Sequence, residues 1–473
     1  MSTSPEEARS SRSWRERSVR LAVALAFADA SIVVLALPQI VDQLHTSISH
    51  VTWVIMAYNL ALILGVVGFL PLAGRVPPRR ALLVGLGVFG LGSLGCAAAD
   101  SLALLVALRG VQGVGGALVV CASLPLLASA ARPEESPTAG WAAAAAIGAA
   151  IGPAAGGVLT QLFDWRAIFV AQAPVAVLAA AAVLASREPG RRIAARQASR
   201  RSDLGPLAAD IALLLLSAGL IGALFLVVVL LINVWQLAPI GAAAVLSAIP
   251  LATLLVERLA RRGSAILFGV AGALLVAVGL AAIALVSHRQ LGWVIIALAL
   301  CGAGIGLAFT SLTAAALGAD GAATTRAGRT VVARDAGLVI GLLILTPVFV
   351  HDLNGGPQRA TPAIAGTLLA APIPGALKGE LAGGLIQASN SAPQSGLPDI
   401  SRTFAEARAH ADPSSAAPLA RLRNRISSEI ERAATRSFRR SLLYSALFAL
   451  LVIPVLVVAL IRQRRGGAYD RRA

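Results

Sequence analysis

The chain alternates between long apolar segments and short polar segments along most of its length. Each apolar segment is close to the roughly 20 residues that an α-helix needs to cross the hydrocarbon core of a bilayer. Two segments, 102–127 and 206–233, are long enough to contain a break. The pattern predicts an all-α membrane protein with twelve transmembrane helices, at 20–40, 51–72, 81–99, 102–127, 138–161, 166–186, 206–233, 239–256, 264–287, 291–317, 329–350 and 441–461.

Arginine is unevenly distributed between the two sides of the predicted bilayer. Short loops on one side contain arginines such as Arg75, Arg132 and Arg258, whereas the loops at 41–50 and 233–238 contain none. Because short loops rich in Arg and Lys stay in the cytoplasm, we expect both termini there. The expected location is the cell membrane, and the first apolar segment is expected to be a retained helix rather than a cleaved signal peptide.

Composition agrees with a membrane protein and changes how the charge is interpreted. Of the 473 residues, 57% are hydrophobic and 13% are charged, whereas a soluble domain has about 25% charged residues. The formal net charge of +17 would suggest a nucleic-acid partner for a soluble protein. Here most of the arginine lies between apolar segments, so we expect no nucleic acid. The three cysteines lack the spacing of a disulfide framework or a metal site.

The predicted spans divide into two halves of six. A weak internal repeat favours this division, because Gln112–Ala117 in span 4 resembles Ala303–Ala308 in span 10. Paired halves with the site between them are common among transporters, although Gly and Ala also recur wherever helices pack closely. The expected domains are a cytoplasmic tail at 1–19, an N-terminal six-helix bundle at 20–186, a cytoplasmic central loop at 187–205, five helices of the second bundle at 206–350, a long extracytoplasmic loop at 351–438, the last helix at 439–462 and a cytoplasmic tail at 463–473.

The segment 351–438 interrupts the rhythm of the spans. Residues 361–386 are mildly apolar, but three prolines and a Gly-Gly pair make them a poor span. Residues 389–399 resemble a flexible link. From Pro418 onward, Leu and Ile recur at helical spacing, which predicts an amphipathic helix that continues into the last span. The segment is interpreted as a helical cap, as a lid or partner-docking module, or as partly disordered.

Ionisable residues lie within several predicted spans, where a charge at the helix centre costs roughly 2.5–3.5 kcal/mol on insertion scales. Asp29 is in the middle of span 1, Arg109 is in span 4, and Arg334 and Asp335 are placed near the cytoplasmic start of span 11. Gln112 follows Arg109 by one helical turn, so both can line one polar track. Since such residues usually face a bundle interior or an aqueous pathway, all five are candidates for proton coupling or the transport pathway.

Each of these charges also has a structural interpretation. Asp29 could serve helix packing, Arg109 could extend to the outer interface, and Arg334 with Asp335 could form a structural ion pair. Asp210, one to two turns inside span 7, is a weaker candidate for the site.

Glycines recur on one face of span 5, at i, i+4, i+8 and i+9, with a proline among them. Missing side chains let a neighbouring helix approach closely, and a proline permits a kink. We assign this face either to packing that changes as two halves rock or to static packing. With Gly113 of span 4, the residues of the helix-packing and conformational-change set are Gly148, Gly152, Pro153, Gly156 and Gly157.

Four segments of the N-terminal half resemble the major facilitator superfamily, most closely its drug/proton antiporter branches. They are Asp29–Pro38, Arg109–Ala117, Gly148–Gly157 and Trp165–Phe169, the last followed by Pro174. They occur in the family's order and cover residues 20–186, which makes the combination specific. The C-terminal half resembles the family only in 333–337 and in its overall hydropathy.

One motif of the resemblance is incomplete. The family's loop between helices 2 and 3 carries Gly, Asp-Arg, Gly and a basic cluster, and it acts as a cytoplasmic gating loop. Here the corresponding loop has Gly74, Arg75, Arg79 and Arg80 but lacks the Asp. The usual charge lock to neighbouring helices is therefore in doubt.

The resemblance implies a secondary transporter that works by alternating access. The favoured activity is proton-coupled efflux of a small hydrophobic compound. Uptake, a lipid-like substrate, and a non-transporting scaffold or sensor that uses 351–438 are the alternatives. The sequence contains neither an HExxH metal motif nor a GxxxxGK[ST] nucleotide loop. We therefore expect no enzymatic activity and no cofactor, a proton gradient as energy source, and a monomer in the lipid bilayer whose partners are protons and a small molecule.

Cysteine labelling tests the predicted orientation. Single cysteines replace Ser4, Ser391 and Ala473 in a background without the three native cysteines. Because arginine-rich loops stay inside, an impermeant maleimide added to intact cells should label only the Ser391→Cys protein. Labelling of either terminal position in intact cells would contradict the orientation.

Overall fold

The computed structural model describes residues 5–130, 137–185, 204–260, 264–317, 323–390, 400–412 and 415–469. Every regular element in these residues is a helix, and twelve helices are long and apolar enough to cross a membrane. The prediction of an all-α fold with twelve spans is confirmed. Most of the predicted central loop, at 187–203, and most of the predicted link, at 391–399, lie outside the described residues.

The spans are numbered in chain order, and several consist of two or three consecutive helices. The first half contains span 1 (Pro5–Ile32, a 3-10 turn Val33–Ala36, Leu37–Gln43), span 2 (Ile48–Val51, Trp53–Phe69, a 3-10 turn Leu70–Leu72), span 3 (Pro78–Ala97), span 4 (Leu102–Ala130), span 5 (Pro137–Leu162) and span 6 (Arg166–Ala185). The second half contains span 7 (Pro206–Val229, then Leu230–Val234), span 8 (Pro239–Leu246, Ala248–Ala260), span 9 (Ala265–Ala284), span 10 (Leu291–Leu317), span 11 (Ala323–Asn354) and span 12 (Arg439–Leu450, Val452–Tyr469).

Proline explains where two of the spans are interrupted. A proline has no amide hydrogen, so the carbonyl four residues earlier loses its helical hydrogen bond. The first helix of span 8 ends at Leu246, four residues before Pro250, and the first helix of span 12 ends at Leu450, four residues before Pro454. The long span 4 is continuous, whereas span 7 ends in a π-helical turn at Leu230–Val234.

Span 11 begins earlier than the sequence pattern predicts. Its helix starts at Ala323, six residues before the predicted start at 329, and Arg329 and Thr330 of its early turns bind Asp210 of span 7. Asp335 therefore lies twelve residues, roughly 18 Å of helix, beyond the start of the span. The prediction that Arg334 and Asp335 lie near the start of the span was wrong.

The two halves repeat the same helix contacts. Gly148 and Gly152 of span 5 pack directly on backbone carbonyls of span 1. Gly337 and Gly341 of span 11 pack in the same way on backbone carbonyls of span 7. The missing side chains let each pair of backbones touch, so spans 5 and 11 occupy equivalent positions in the two halves.

Span 4 corresponds to span 10, but not in the register that the sequence repeat suggests. Gly113 packs on span 2 and Gly115 on span 3, while Gly302 packs on span 8 and Gly304 on span 9. Gly113 therefore corresponds to Gly302. The sequence alignment of Gln112–Ala117 with Ala303–Ala308 therefore differs by two residues from the alignment given by the helix contacts. Glycine is frequent in both helices, so the two sequences also match in a wrong register.

Two surfaces of the bundle can be distinguished. We call the end with the loop 73–77 and the start of span 1 the basic face, and the end with the loops 44–47 and 163–165 the opposite face. Near the opposite face, Gly157 of span 5 packs on Pro239 and Ala243 of span 8. Near the basic face, Gly328 of span 11 packs on Val66 and Leu70 of span 2. The two halves are thus in contact at both ends of the bundle.

Four further helices form a cap on the opposite face, namely Gly356–Leu369, Gly375–Asn390, Ser401–Ala409 and Ala416–Ser437. The cap has its own apolar core, which includes Leu381, Phe404 and Ile426. Its last helix buries Leu419 and Leu422, as its amphipathic pattern predicts, and continues through Phe438 into span 12. The Trp235 indole donates to the Thr435 hydroxyl at 3.3 Å, which attaches the cap to the second half.

Glycine-to-valine substitutions test whether the two contacts act as gates. Overpacking a close contact costs about 1–3 kcal/mol, enough to shift an open–closed equilibrium about tenfold. Gly157→Val should speed labelling of an Ala30→Cys probe from the opposite face, and Gly328→Val should speed it from the basic face. The control is Gly87→Val, because a side chain at Gly87 would meet open space. Equal labelling rates in all three variants would contradict the gates.

Candidate functional site

A buried ion pair joins span 1 to span 4 in the first half. Nη1 of Arg109 lies 2.8 Å from Oδ1 and 2.6 Å from Oδ2 of Asp29. Both side chains are completely buried. Charge-assisted hydrogen bonds of this length are among the strong ones in proteins. The pair brings together the two charges that the sequence suggested for a proton-coupling site.

Three uncharged polar side chains complete a network around Asp29. Gln172 of span 6 donates to Oδ1 of Asp29 at 2.9 Å, and Gln112 donates to the same oxygen at 3.2 Å. The carbonyl oxygen of Gln172 accepts from the Ser93 hydroxyl at 2.8 Å. Gln112 also accepts from Arg109 at 2.7 Å, so the predicted polar track of these two residues exists. The Asp29 network thus connects spans 1, 3, 4 and 6.

Arg109 is held on several sides at once. Its Nε donates to the backbone oxygen of Val54 at 2.9 Å, and its guanidinium carbon lies 4.4 Å from the centre of the Tyr58 ring. Its Nη2 is buried and has no hydrogen-bond partner. The side chain does not extend to the membrane surface, because it is completely buried. Arg109 therefore carries one donor group that a rearranged network could use.

Close helix packing positions the network. A side chain at Gly92 of span 3 would lie 3.0 Å from the backbone nitrogen of Gln112, so spans 3 and 4 are nearly in backbone contact there. Only a glycine permits such an approach. The next residue, Ser93, consequently reaches the network with a side chain as short as a hydroxymethyl group.

The second half has apolar residues at the equivalent positions. Gly279 of span 9 packs on Cys301 of span 10, just as Gly92 of span 3 packs on Gln112 of span 4. Cys301 is therefore the counterpart of Gln112, and Leu298, three residues earlier, is the counterpart of Arg109. The buried ion pair is a feature of the first half alone at this position of the repeat.

A second polar group lies between the halves. Arg334 and Asp335 of span 11 line a pocket together with Phe27, Tyr58 and Asn59 from spans 1 and 2. We call this the inter-half pocket. The Arg334 guanidinium lies over the Phe27 ring at 4.1 Å, and its Nε is 3.8 Å from Oδ1 of Asp335. This ion pair is looser than the Asp29–Arg109 pair, and no hydrogen bond joins its partners at that distance.

Asp210 belongs to a different contact. It accepts a hydrogen bond from Thr330 at 2.8 Å and pairs with Arg329. Both partners are in the first turns of span 11, close to Gly328. Asp210 therefore fixes the start of span 11 on span 7.

The predicted gating-loop residues divide into two groups. Gly74 and Arg75 lie in the turn after span 2, whereas Arg79 and Arg80 lie in the first turn of span 3. Arg79 donates to the backbone oxygen of Leu184 at 2.8 Å, which caps the end of span 6 in the same half. Cations near a helix C-terminus are stabilising. On this face, Gly328 of span 11 forms a contact between the halves.

The predicted packing motif on span 5 contacts two partners. Gly148, Gly152 and Gly156 pack on the backbone of span 1, whereas Gly157 packs on span 8 of the other half. Pro153 lies inside the continuous helix. The two positions Gly156 and Gly157 are adjacent in sequence, yet one serves packing within a half and the other contact between halves.

Several site residues were missed by the sequence analysis. Gln172, Ser93 and Asn59 are uncharged, so they do not stand out in a search for charges within spans. Gln172 lies between two alanines of an apolar helix, and an amide in such a position needs hydrogen-bond partners when it is buried. A search for amide side chains within the predicted spans would have included Gln172 and Asn59.

Replacement of Gln172 tests the network. Gln172→Leu removes a hydrogen bond to a carboxylate, which should lower the free energy of unfolding by about 1.5–3 kcal/mol. The control is Gln39→Leu, because Gln39 only donates to the Thr160 backbone oxygen at 3.2 Å, a neutral bond worth about 0.5–1.5 kcal/mol. Thermal unfolding of both purified variants measures the difference. A smaller effect at Gln172 than at Gln39 would contradict the network.

Comparisons with known proteins agree with this architecture. The family model described as "Major Facilitator Superfamily" matches residues 20–372. Over most of their lengths, two crystal structures of a bacterial homologue of the human lysosomal transporter Spinster superpose with TM-scores of 0.63 and 0.65, at 17% and 15% identity. They cover 97% and 95% of this chain, and 98% and 96% of those chains. At such low identity they establish the fold alone.

Curated relatives match shorter regions. Multidrug resistance protein Stp of Mycobacterium tuberculosis is 38% identical over 162 residues, 33% of this chain and 30% of the relative. The methylenomycin A resistance protein of Bacillus subtilis is 35% identical over 213 residues, 43% of this chain and 44% of the relative. The lincomycin resistance protein of Streptomyces lincolnensis is 38% identical over 188 residues, 38% of each chain. The matches thus span about a third to under half of these relatives.

The family model, which matches well over half of the chain, shows that the chain belongs to the major facilitator superfamily.

Proposed function

We propose that this protein exports small hydrophobic compounds from the cell in exchange for protons, by alternating access. The observation that carries the proposal is the completely buried Asp29–Arg109 pair. Relatives named for resistance to lincomycin, methylenomycin A and multiple drugs support export of a small molecule. The basic face is proposed to be cytoplasmic, because short arginine-rich loops stay on that side.

A proton on Asp29 would change the charge balance of the network. The carboxylate neutralises Arg109 while it is ionised, and the pair is held by two short hydrogen bonds. When the carboxyl group takes a proton, the guanidinium remains as a buried charge without a counterion. Removing one partner of a buried pair is strongly unfavourable, by about 3–5 kcal/mol. Protonation would therefore favour a conformation in which Arg109 reaches water or new acceptors.

The packing of span 1 provides a route from the network to the gates. Asp29 lies between the points where span 1 contacts Gly148 and Gly156 of span 5. One residue further, Gly157 of the same helix contacts span 8 of the other half. A displacement of span 1 would consequently move the helix that closes the opposite face. The proton gradient is proposed as the energy source, without a cofactor.

We propose that a monomer carries out transport, with the Asp29 network and the inter-half pocket both enclosed by spans of the same bundle. We propose that the proton binds in the Asp29 network and that the transported compound binds in the space between the halves, next to Tyr58, which contacts Arg109 and lines the pocket.

Asp29→Asn tests the proposed proton site. The amide keeps the shape of the carboxyl group but takes up no proton at physiological pH, so exchange driven by a pH gradient should stop. Transport is measured in inverted membrane vesicles with a panel of antibiotics, over a range of external pH values, and expression is measured in parallel. Unchanged pH dependence of transport in the variant would show that Asp29 only packs helices.

Arg109→Lys tests whether geometry as well as charge is needed. A guanidinium has five donors in a fixed plane, whereas an ammonium is a compact, strongly hydrated point charge. Because Arg109 contacts Asp29, Gln112 and the Val54 backbone oxygen together, lysine should restore little of the transport lost in Arg109→Ala. The control is Arg421→Lys on the exposed side of the last cap helix, which should transport normally. Normal proton-driven flux in a well-expressed Arg109→Lys protein would contradict the assigned role.

A further inference from the structure

The inter-half pocket contains two buried acceptor oxygens without hydrogen-bond partners. Oδ2 of Asp335 and Oδ1 of Asn59 both lie in residues that line it, and neither has a partner. Asn59 is completely buried and Asp335 is 2% exposed. An unpaired buried acceptor costs about 1–3 kcal/mol, more when it is charged. Two such atoms at one pocket indicate a place where a donor binds during the transport cycle.

The orientation of the Asn59 amide agrees with a donor in the pocket. Its nitrogen donates to the Ile55 backbone oxygen at 2.7 Å, one turn earlier on the same helix. That bond leaves the amide oxygen as the atom that remains for a ligand. Asp335 accepts no hydrogen bond at its second oxygen, and Arg334 is too distant for one at the first. The pocket thus presents acceptors from both halves of the protein.

Apart from the Arg334 guanidinium and the Tyr58 hydroxyl, the remaining walls are apolar. They include the aromatic rings of Phe27 and Tyr58 and the aliphatic side chains of Leu62 and Val331. Sites for small molecules are typically apolar with a few placed polar groups that fix orientation. The pocket has a volume of about 10 Å³, which is close to that of a single water site. In this conformation it accommodates only a group of that size.

We propose that Asn59 and Asp335 bind the protonated primary amine of a transported compound, each oxygen accepting one N–H bond. An –NH₃⁺ group has three donors and no acceptor, which suits two acceptor oxygens, and its positive charge complements Asp335, to which Arg334 makes no hydrogen bond. It is also about as small as the space in the pocket. A trimethylammonium group has no N–H bond and is too large. The apolar remainder of the compound lies in the space that opens when the halves separate.

This assignment deepens the proposed export function. It rests on that function only in taking the bound amine to be a transported compound. Binding to the purified protein tests the assignment separately from proton coupling. The alternative is that Asp335 binds a proton and no amine. A proton on Asp335 would leave the Asn59 oxygen without a donor, and the variants below distinguish the two cases.

The test measures equilibrium binding of three probes to the purified full-length protein in lipid nanodiscs. The probes are 1-naphthylmethylamine, its N-acetyl derivative and its trimethylammonium analogue. The primary amine should bind at least about tenfold more tightly than the other two, because hydrogen bonds to charged groups contribute about 1.5–3 kcal/mol each. Equal affinities for the three probes, or no binding of the amine, would overturn the assignment.

Variants then identify the two acceptors. Asp335→Asn and Asn59→Leu should each weaken binding of the amine by about ten- to a hundredfold, with little effect on the N-acetyl probe. Asp335→Glu should restore part of the affinity lost in Asp335→Asn. The control is Thr346→Val, also on span 11 and buried, which should bind normally. Circular dichroism and elution volume verify that each variant is folded.

One comparison separates this assignment from the proposed proton site. Asp29→Asn should retain binding of the amine in nanodiscs even though it loses proton-driven transport in vesicles. If Asp335→Asn binds the amine normally but loses the pH dependence of transport, Asp335 is a second proton site and the assignment is wrong. If Asp29→Asn keeps its pH dependence while Asp335→Asn loses amine binding, the coupling mechanism fails and the assignment stands.

Discussion

The Asp29–Arg109 pair is the interaction on which the arrangement of the first half depends. Two opposite charges are buried completely, and each would be unfavourable without the other. The amides of Gln112 and Gln172 and the hydroxyl of Ser93 surround the pair. Since these residues belong to four different spans, one carboxylate organises the polar interior of the whole half. Under the proposed mechanism, a single proton on that carboxylate acts on all of these contacts.

The two halves share a packing scheme but not a polar interior. Glycines place spans 5 and 11, and spans 4 and 10, in equivalent contacts. At the position of Gln112, however, the second half has Cys301. The repeated helix packing supports a rocking motion of the two halves. Small residues allow close contacts between the halves near the basic face and near the opposite face. The asymmetry assigns the buried ion pair to one body and leaves Asp335 at the boundary between them.

The spans, the fold class and part of the site could be predicted from the sequence, for physical reasons. A membrane requires about 20 apolar residues per helix, and it makes Asp29 and Arg109 conspicuous. The depth of Asp335 could not be predicted, because the first six residues of the span 11 helix, at 323–328, include two threonines, an arginine and a glycine, so hydropathy does not mark them as part of a span. Gln172 and Asn59 were missed since an uncharged amide is inconspicuous until its partners are known. The register of the internal repeat likewise required contacts rather than residue types.

The central claim is that movement of the exported compound and movement of protons are obligatorily linked. It is tested most directly in proteoliposomes that hold a transported antibiotic and a pH-sensitive dye, with no pH gradient at the start. Outflow of the antibiotic down its gradient is predicted to drive protons in the opposite direction, so that the interior becomes acidic. Outflow at the same rate with no change of internal pH would contradict proton exchange.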